Sequence, residues 1–453
     1  MDEKDLIIAK LLEKIAQLEK RIAELEKQLG KNSQNSSYPP SRDGFRTPPR
    51  TQSLREKGQR SSGGQAGHVG ETLKQSLHPD KVERHALSDC PHCNTPLSDI
   101  KISALIKRQV FDLPVIAMEV TEHQGEVKAC PCCQKRVRAP FPEGVNAPVQ
   151  YGKRMQSVAV YLQHQQFIPE DRLQEMFYDL FQVKIATASL TRFSQQAYSA
   201  LSDMTEQILS GVSNAPVKHL DETGFKIAAK QQWLHVASTD KLTYYHASAR
   251  RKALLKNLKG IVVHDHWKSY YLLPDVLHGL CNQHHLRELK ALIDYDKEAW
   301  AKNMQRCLRV ALRYRHRYAN APIPDEILTR LIKLYDTIVQ KGLLFHEQQE
   351  CLERKGKRIP RRTGHNLVLR LQRYKEDVLR FLTHPHVPFT NNQAESDIRM
   401  MKCKQKISGG FRTREGAEIF ARIRGFISTA RKQGWNIFDS LQSLFYGKLP
   451  TLA

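Results

Sequence analysis

The hydrophobic period of the chain changes at Pro216, and that change limits the folds open to it. Upstream, residues 150–212 carry apolar side chains at three-to-four spacing, as in MQSVAVYLQHQQFIPEDRLQEMFYDLFQ, which predicts amphipathic helices. Pro169 is placed to start one of them. VKIATASLTRFSQQ reads either as the second helix of a helix-turn-helix or as a plain core helix. Downstream, VKHLDETGFKI, QWLHVAST and LTYYHASA are strand-like runs separated by short polar turns. ALLKNL then reads as a short helix, followed by the apolar run Gly260-Ile-Val-Val-His-Asp265 and by VLHGLC. Three strands in a meander, a helix, and further buried strands alternating with helices describe a mixed α/β sheet. From about 294 to 388 the pattern is helical again, and includes ERKGKRIPRR with six basic residues between Arg354 and Arg362.

The first thirty residues repeat in sevens. Ile8, Ile15, Ile22 and Leu29 share one core position and Leu11, Leu18 and Leu25 the other, flanked by Glu and Lys. Isoleucine at a with leucine at d favours a parallel two-stranded coiled coil, hence a homodimer or a higher assembly. A single amphipathic helix packed on its own domain is the plainer reading. Gly30 ends this helix, and about 43 residues rich in Ser, Pro, Gly and Arg follow it. They hold too few apolar side chains to fold alone, so they read as a linker. Arg42, Arg46, Arg50, Arg55, Lys57 and Arg60 give that linker charge suited to phosphate.

Cys90-Pro-His-Cys93 and Cys130-Pro-Cys-Cys133 come next, separated by 36 residues. Two such pairs offer four thiolates to one tetrahedral Zn²⁺, and the intervening VFDLPVIAMEVTEHQGEVKA alternates as the strands of a closing hairpin would. Four cysteines leave no open coordination position, so the zinc is expected to be structural, with Cys132 the spare thiol. Five of the nine cysteines fall between Cys90 and Cys133, which points to metal in a reducing cytosol rather than to disulfides. No apolar run approaches the ~18 residues of a membrane span. The N-terminus also lacks the apolar core and cleavage site of a signal peptide. A cytoplasmic protein without a membrane partner is expected.

Lys and Arg number 71 against 47 Asp and Glu, a net +24 with histidine neutral. A surplus of that size seeks a polyanion, nucleic acid first. Three acidic residues nevertheless sit where elements end. Asp221 closes the first strand in His219-Leu-Asp-Glu-Thr-Gly224, Asp265 closes VVHD, and Glu395 lies near the start of the helix after Thr390-Asn-Asn-Gln-Ala. Mg²⁺ requires hard oxygen ligands, and two ions about 3.5–4 Å apart activate a water or 3′-hydroxyl against a phosphodiester. Each carboxylate also has a plainer role. Asp221 could open a turn beside Glu222, which alternation sends to the opposite face of a strand; Asp265 could cap a helix; Glu395 has capping-box spacing from Asn392. Arg399 and Lys402, four and seven residues beyond Glu395 on the same face, favour a metal ligand next to phosphates. Arg399, Lys402, Lys406, Arg412 and Arg414 are therefore the candidate DNA contacts. Cys281-Asn-Gln-His284 could bind zinc but has no partner pair nearby, so a structural role is favoured. His264 and His266, flanking Asp265, allow a histidine-metal nuclease as a minor reading.

With these motifs in order, the chain resembles the insertion sequence 66 family of bacterial DDE transposases almost end to end. The resemblance is carried by NSQNSSYPPSRDG, GGQAGHVGETL, the paired Cys-x-x-Cys module, HLDETGF, VVHDHWKSYY, LCNQHHLREL and TNNQAESDIRMMKCKQKISGGFRTREGAEIFARIRGFISTA. Ala66, Tyr38 and Arg42 depart from the family's linker pattern without touching the chemistry. The resemblance implies a multidomain α/β protein with an RNase H-like core, an all-helical insertion before the last acidic residue, and Asp221, Asp265 and Glu395 as a metal-binding triad. It places Cys281 and His284 in a structural element near that core. The chain then divides into a coiled-coil helix (1–30), a basic linker (31–75), a zinc-binding module (76–145) and a helical DNA-binding domain (146–213). The first part of the core (214–293), the helical insertion (294–388) and the last part of the core with basic helices (389–453) follow. The expected activity is Mg²⁺- or Mn²⁺-dependent cleavage and strand transfer at the ends of the protein's own element. Double-stranded DNA, a second copy of the chain and small accessory proteins are the expected partners. The rival is a non-catalytic, dimeric, zinc-containing DNA-binding regulator or architectural protein.

Overall fold

A computed structural model describes residues 3–32, 73–114, 116–319, 321–350, 352 and 359–453. Arg42 to Arg60 of the expected linker, and 353–358 of the basic run in the insertion, lie outside the described residues. The chain opens with α1 (Glu3–Leu29), along which Ile8, Leu11, Ile15, Leu18, Ile22, Leu25 and Leu29 are all exposed. In the cysteine-rich segment a small antiparallel pair forms, β1 (Val127–Ala129) with β2 (Arg136–Arg138). The expected strands of VFDLPVIAMEVTEHQGEVKA are realised only at Val127–Ala129 among the described residues. Val110, Leu113 and Val120 remain exposed, so the alternating pattern there has no core face to be buried against.

Four helices then lead to the sheet: α2 (Lys153–Val160), running into a π turn at Tyr161–Gln165, α3 (Glu170–Phe181), α4 (Thr187–Ala200) and α5 (Ser202–Asn214). Pro169 does precede the first helical residue of α3, where its fixed φ suits the cap. The sheet contains β3 (Val217–Ile227), β4 (Lys230–Ser238), β5 (Thr243–Ser248), β6 (Gly260–His264) and β7 (Val276–Leu280). Their spatial order is β5-β4-β3-β6-β7, with the meander antiparallel and β3-β6-β7 parallel. The expected helix at ALLKNL does not form. Residues 251–259 make turns and bends, with Asn257 at φ +59°; six residues are too few to offset helix nucleation, and Leu254, Leu255 and Leu258 pack on the core without one.

Helices α6 (Asn282–Ala291), α7 (Ala299–Tyr318), α8 (Asp325–Glu347), α9 (Thr363–Arg373) and α10 (Lys375–Thr383) follow, then α11 (Asn392–Ser408), α12 (Arg414–Lys432) and α13 (Ile437–Phe445). The insertion is thus helical, as its period requires. No helix among the described residues is long and apolar enough to cross a membrane.

Strand alternation divides the core. Ile261 and Val263 of β6 pack with the helices of the insertion, while Val262 between them packs with α2–α5, α12 and α13. Leu220 of β3 and Ala237 of β4 join the Val262 side, whereas Phe225, Leu234 and Val236 meet Ala394, Ile398 and Met401 of α11 on the other. Both sheet edges are covered. At β5, Thr243 N–H donates to Thr429 Oγ1 of α12 at 3.0 Å; at β7, Arg380 of α10 donates to the His278 carbonyl at 2.7 Å.

Candidate metal centre

The β3–β6 ladder ends with His219 opposite Val263, and β6 itself ends at His264. Asp221 and Asp265 therefore each lie two residues past the last parallel pair, on strands about 4.8 Å apart. Both share the parity of Ile261, Val263 and Phe225, so they face the side covered by α6 and α11. Asp221 does not close its strand, as expected from the sequence. β3 continues antiparallel to β4 as far as Ile227, and what ends at Asp221 is its partnership with β6. The turn falls at Ala228 and Ala229, both at positive φ, and not at Asp-Glu-Thr-Gly.

Glu395 is brought to this end of the sheet by a strap. Asn391, which precedes α11, donates from Nδ2 to the Leu220 carbonyl at 2.8 Å and meets His219 Nδ1 at 2.8 Å through Oδ1. Its own N–H donates to Cys281 Sγ at 3.1 Å, and the Glu395 N–H donates to the Asn391 carbonyl at 3.2 Å. One buried residue thus ties the start of α11 to β3 through its side chain and to the head of α6 through its backbone N–H. At the far end, Gly409 adopts φ +68° and Gly410 lies against β3, where a Cβ would stand 2.4 Å from the Lys226 carbonyl. Phe411 then bonds back to Lys226 at 2.9 Å. Both ends of α11 are fixed to the strand that carries Asp221.

Burial holds Asp221 well above the usual carboxylate range, reinforced by the charges of Glu222, Asp265 and Glu395. Asp265 is pushed up to about 6 by burial and then by Glu222, against the Trp267 N–H, which donates to its Oδ1 at 3.0 Å. Hard oxygens that are desolvated together and repel one another are a donor set suited to a divalent cation. Glu222 belongs to the opposite face, as alternation requires. Its carboxylate is 2% exposed, accepts Arg251 Nε and Nη2 at 2.9 and 2.6 Å, and accepts the Tyr270 hydroxyl. Asp397, two residues past Glu395, is likewise consumed by structure, pairing with Lys432 at 2.7 Å.

The flanking histidines do not face the centre. His264 is buried, its Nδ1 against the Asp265 carbonyl and its Nε2 3.0 Å from His278 Nδ1, and burial lowers its pKa to about 3. His266 packs on Tyr374 and Tyr271. Of the basic candidates, Arg399, Lys406, Arg412 and Arg414 are exposed. Lys402 donates to the Gly224 carbonyl at 3.1 Å, and Arg414 pairs with Glu418 at 2.8 Å. Asn391 is the functional residue that sequence reasoning missed; its signal was an Asn pair immediately before a helix.

The cysteine knuckles share one geometry. Asn94 N–H donates to the Cys90 carbonyl and Gln134 N–H to the Cys130 carbonyl, both at 2.8 Å, with φ of +55° and +58°. Hydrogen bonds lower the Cys93 thiol, chiefly from Thr95, and the Cys130 thiol, chiefly from the Cys133 N–H. Each pair is preorganised to become thiolate ligands. Among the described residues, however, neither the four sulfurs nor the carboxylates of Asp221, Asp265 and Glu395 are drawn into one cluster; the group whose ligand atoms all lie within 4.8 Å is Cys281, His284 and Glu395. Burial pushes the Cys281 thiol up to about 12.

Fold and site together define a mixed α/β protein with half-buried carboxylates at the end of its parallel strands beside a basic helix, preceded by a cysteine module. The chain belongs to the IS66 family of transposases: residues 148–419 match the transposase IS66 family, and residues 88–134 match the zinc-finger binding domain of transposase IS66. Residues 1–74 match a family of unknown function. An uncharacterized protein, y4jO, of Sinorhizobium fredii is 34% identical over 84 residues, 18% of this chain and 26% of that relative. The match thus spans about a quarter of that relative's length.

Proposed function

We propose that this chain is a DNA transposase that cleaves and rejoins phosphodiesters at the ends of its own element. The observation that carries the reading is the placement of Asp221 and Asp265 each two residues past the last pair, His219–Val263, of neighbouring parallel strands, with the start of the Glu395 helix tied to β3 by Asn391. The order β5-β4-β3-β6-β7, antiparallel then parallel, supports an RNase H-like core. Asp221, Asp265 and Glu395 are the residues that would hold divalent metal, Mg²⁺ or Mn²⁺. Such ions acidify a bound water or 3′-hydroxyl and stabilise the departing oxygen. Water attacks first and leaves a 3′-hydroxyl; that hydroxyl then attacks target DNA.

Arg399, Lys406, Arg412 and Arg414 are assigned to phosphates because they are exposed, whereas Lys402, half-buried against the Gly224 carbonyl, serves mainly to position α11. Phosphate contacts carry no sequence choice, so recognition of the ends falls to the segments before the sheet, including the zinc module and α2–α5. The exposed seam of α1 supports a coiled-coil dimer that holds two ends together. The zinc module is assigned one structural Zn²⁺ on Cys90, Cys93, Cys130 and Cys133. The test is nicking of end-containing DNA in Mg²⁺. Wild type is expected to cleave and Asp265→Asn to bind without cleaving. Binding without metal-dependent cleavage by wild type would leave the regulatory reading instead.

A further inference from the structure

Cys281 and His284 have no part in the reaction above, and in sequence they lack partners. The fold supplies one. The ligand atoms of Cys281, His284 and Glu395 all lie within 4.8 Å of one another, with the Cys281 thiol 3.9 Å from Glu395 Oε1. The arrangement is built. Cys281 caps α6, and its sulfur receives the Asn391 N–H at 3.1 Å together with the N–H groups of Gln283 and His284. Burial by itself keeps that thiol protonated; a bound cation displaces the proton, and these donors then help to hold the thiolate. His284 follows at i+3, on the same side of the first turn. Its Nδ1 is buried without a hydrogen-bond partner, a condition that calls for a ligand. A sulfur, an imidazole and one carboxylate are zinc's donor set, with room for a water as the fourth ligand. Mg²⁺, which selects oxygen, is poorly served by two of the three.

We propose that Cys281, His284 and Glu395 form a second site, selective for a thiophilic divalent cation, with Zn²⁺ foremost. It shares Glu395 with the acidic centre, so the two sites compete for one carboxylate. Resting on the transposase reading, the consequence is that Zn²⁺ at this site withdraws Glu395 and halts Mg²⁺-dependent cleavage.

Zinc content of the full-length protein, equilibrated with buffered free Zn²⁺ and measured by elemental analysis, tests the site. One zinc fewer per chain is expected in His284→Ala than in wild type, with the same loss in Cys281→Ala. Cobalt substitution adds a spectroscopic readout. The wild-type minus His284→Ala difference spectrum should carry the weak charge-transfer band of one thiolate, not the intense band of four. Equal zinc content in wild type and both variants overturns the proposal. If either variant fails to fold by circular dichroism, His284→Gln replaces it with the same expectation. Added Zn²⁺ should inhibit wild-type cleavage in Mg²⁺ and spare His284→Ala relative to its own zinc-free rate. Wild type inactive in Mg²⁺ at every zinc level would refute the transposase reading, while the zinc count would still judge the site.

Discussion

Asp265 is held protonated up to about 6 by burial and by the charge of Glu222. In an unfolded chain the same carboxyl ionises near 3.9. Between about pH 4 and pH 6 the unfolded state therefore loses this proton first, and metal-free stability falls as pH rises through that window. Above it the loss is complete, on the order of 3 kcal/mol. Asp265→Asn removes the charge, so in chelator at neutral pH it should melt several degrees higher than wild type while losing cleavage. At pH 4 the two should melt alike; a lower melting temperature for the variant at neutral pH would show that the carboxylate stabilises the metal-free fold. At this scale the sequence was informative where strand geometry alone decides. Alternation separated Asp221 from Glu222, and the β3–β4 register with Tyr270 and Arg251 bears that out. Asn391 was not legible, because its three partners come from β3 and from the cap of α6, which meet only in the folded chain. The same holds for Glu395 beside Cys281.

Among elements, α1 raises a different question. Its seam residues are exposed, from 41% at Leu25 to 73% at Leu29, so one heptad face has no cover among the described residues. A second copy of α1 buries such a face, and charge placed there prevents it. Ile15→Lys combined with Leu18→Lys should lower the sedimentation coefficient to that of a monomer; an unchanged profile would remove α1 from assembly. Amphipathic helices were read correctly because their period is local, as with α3 after Pro169 and the helices of the insertion. ALLKNL was misread because its leucines are buried on the core from turns and bends, and an apolar pattern of six residues does not say which backbone will carry it there. Gly409 and Gly410 stood within a quoted motif, but the reason for them is the close approach of the chain to Lys226, which no local pattern encodes.

For the whole molecule, a charge of +24 makes DNA affinity strongly dependent on salt. Each of Arg399→Ala, Lys406→Ala and Arg412→Ala should reduce the slope of log affinity against log salt by roughly 1, with equal weakening on specific and random DNA. Lys402→Ala should instead lower the melting temperature, since its ammonium holds the Gly224 carbonyl. An unaltered salt slope in all three arginine and lysine variants would place the DNA elsewhere on the surface. At this scale the order of motifs carried most of the information, because spaced elements that recur in one order are far more specific than any of them alone.

The central claim is that Asp221, Asp265 and Glu395 together hold divalent metal. Anomalous diffraction from crystals of the full-length protein soaked in Mn²⁺ tests it most directly. Manganese density bridging the Asp221 and Asp265 carboxylates, with Glu395 on one of the ions, is the expected result. Crystals with well-ordered carboxylates and no manganese between them would contradict it.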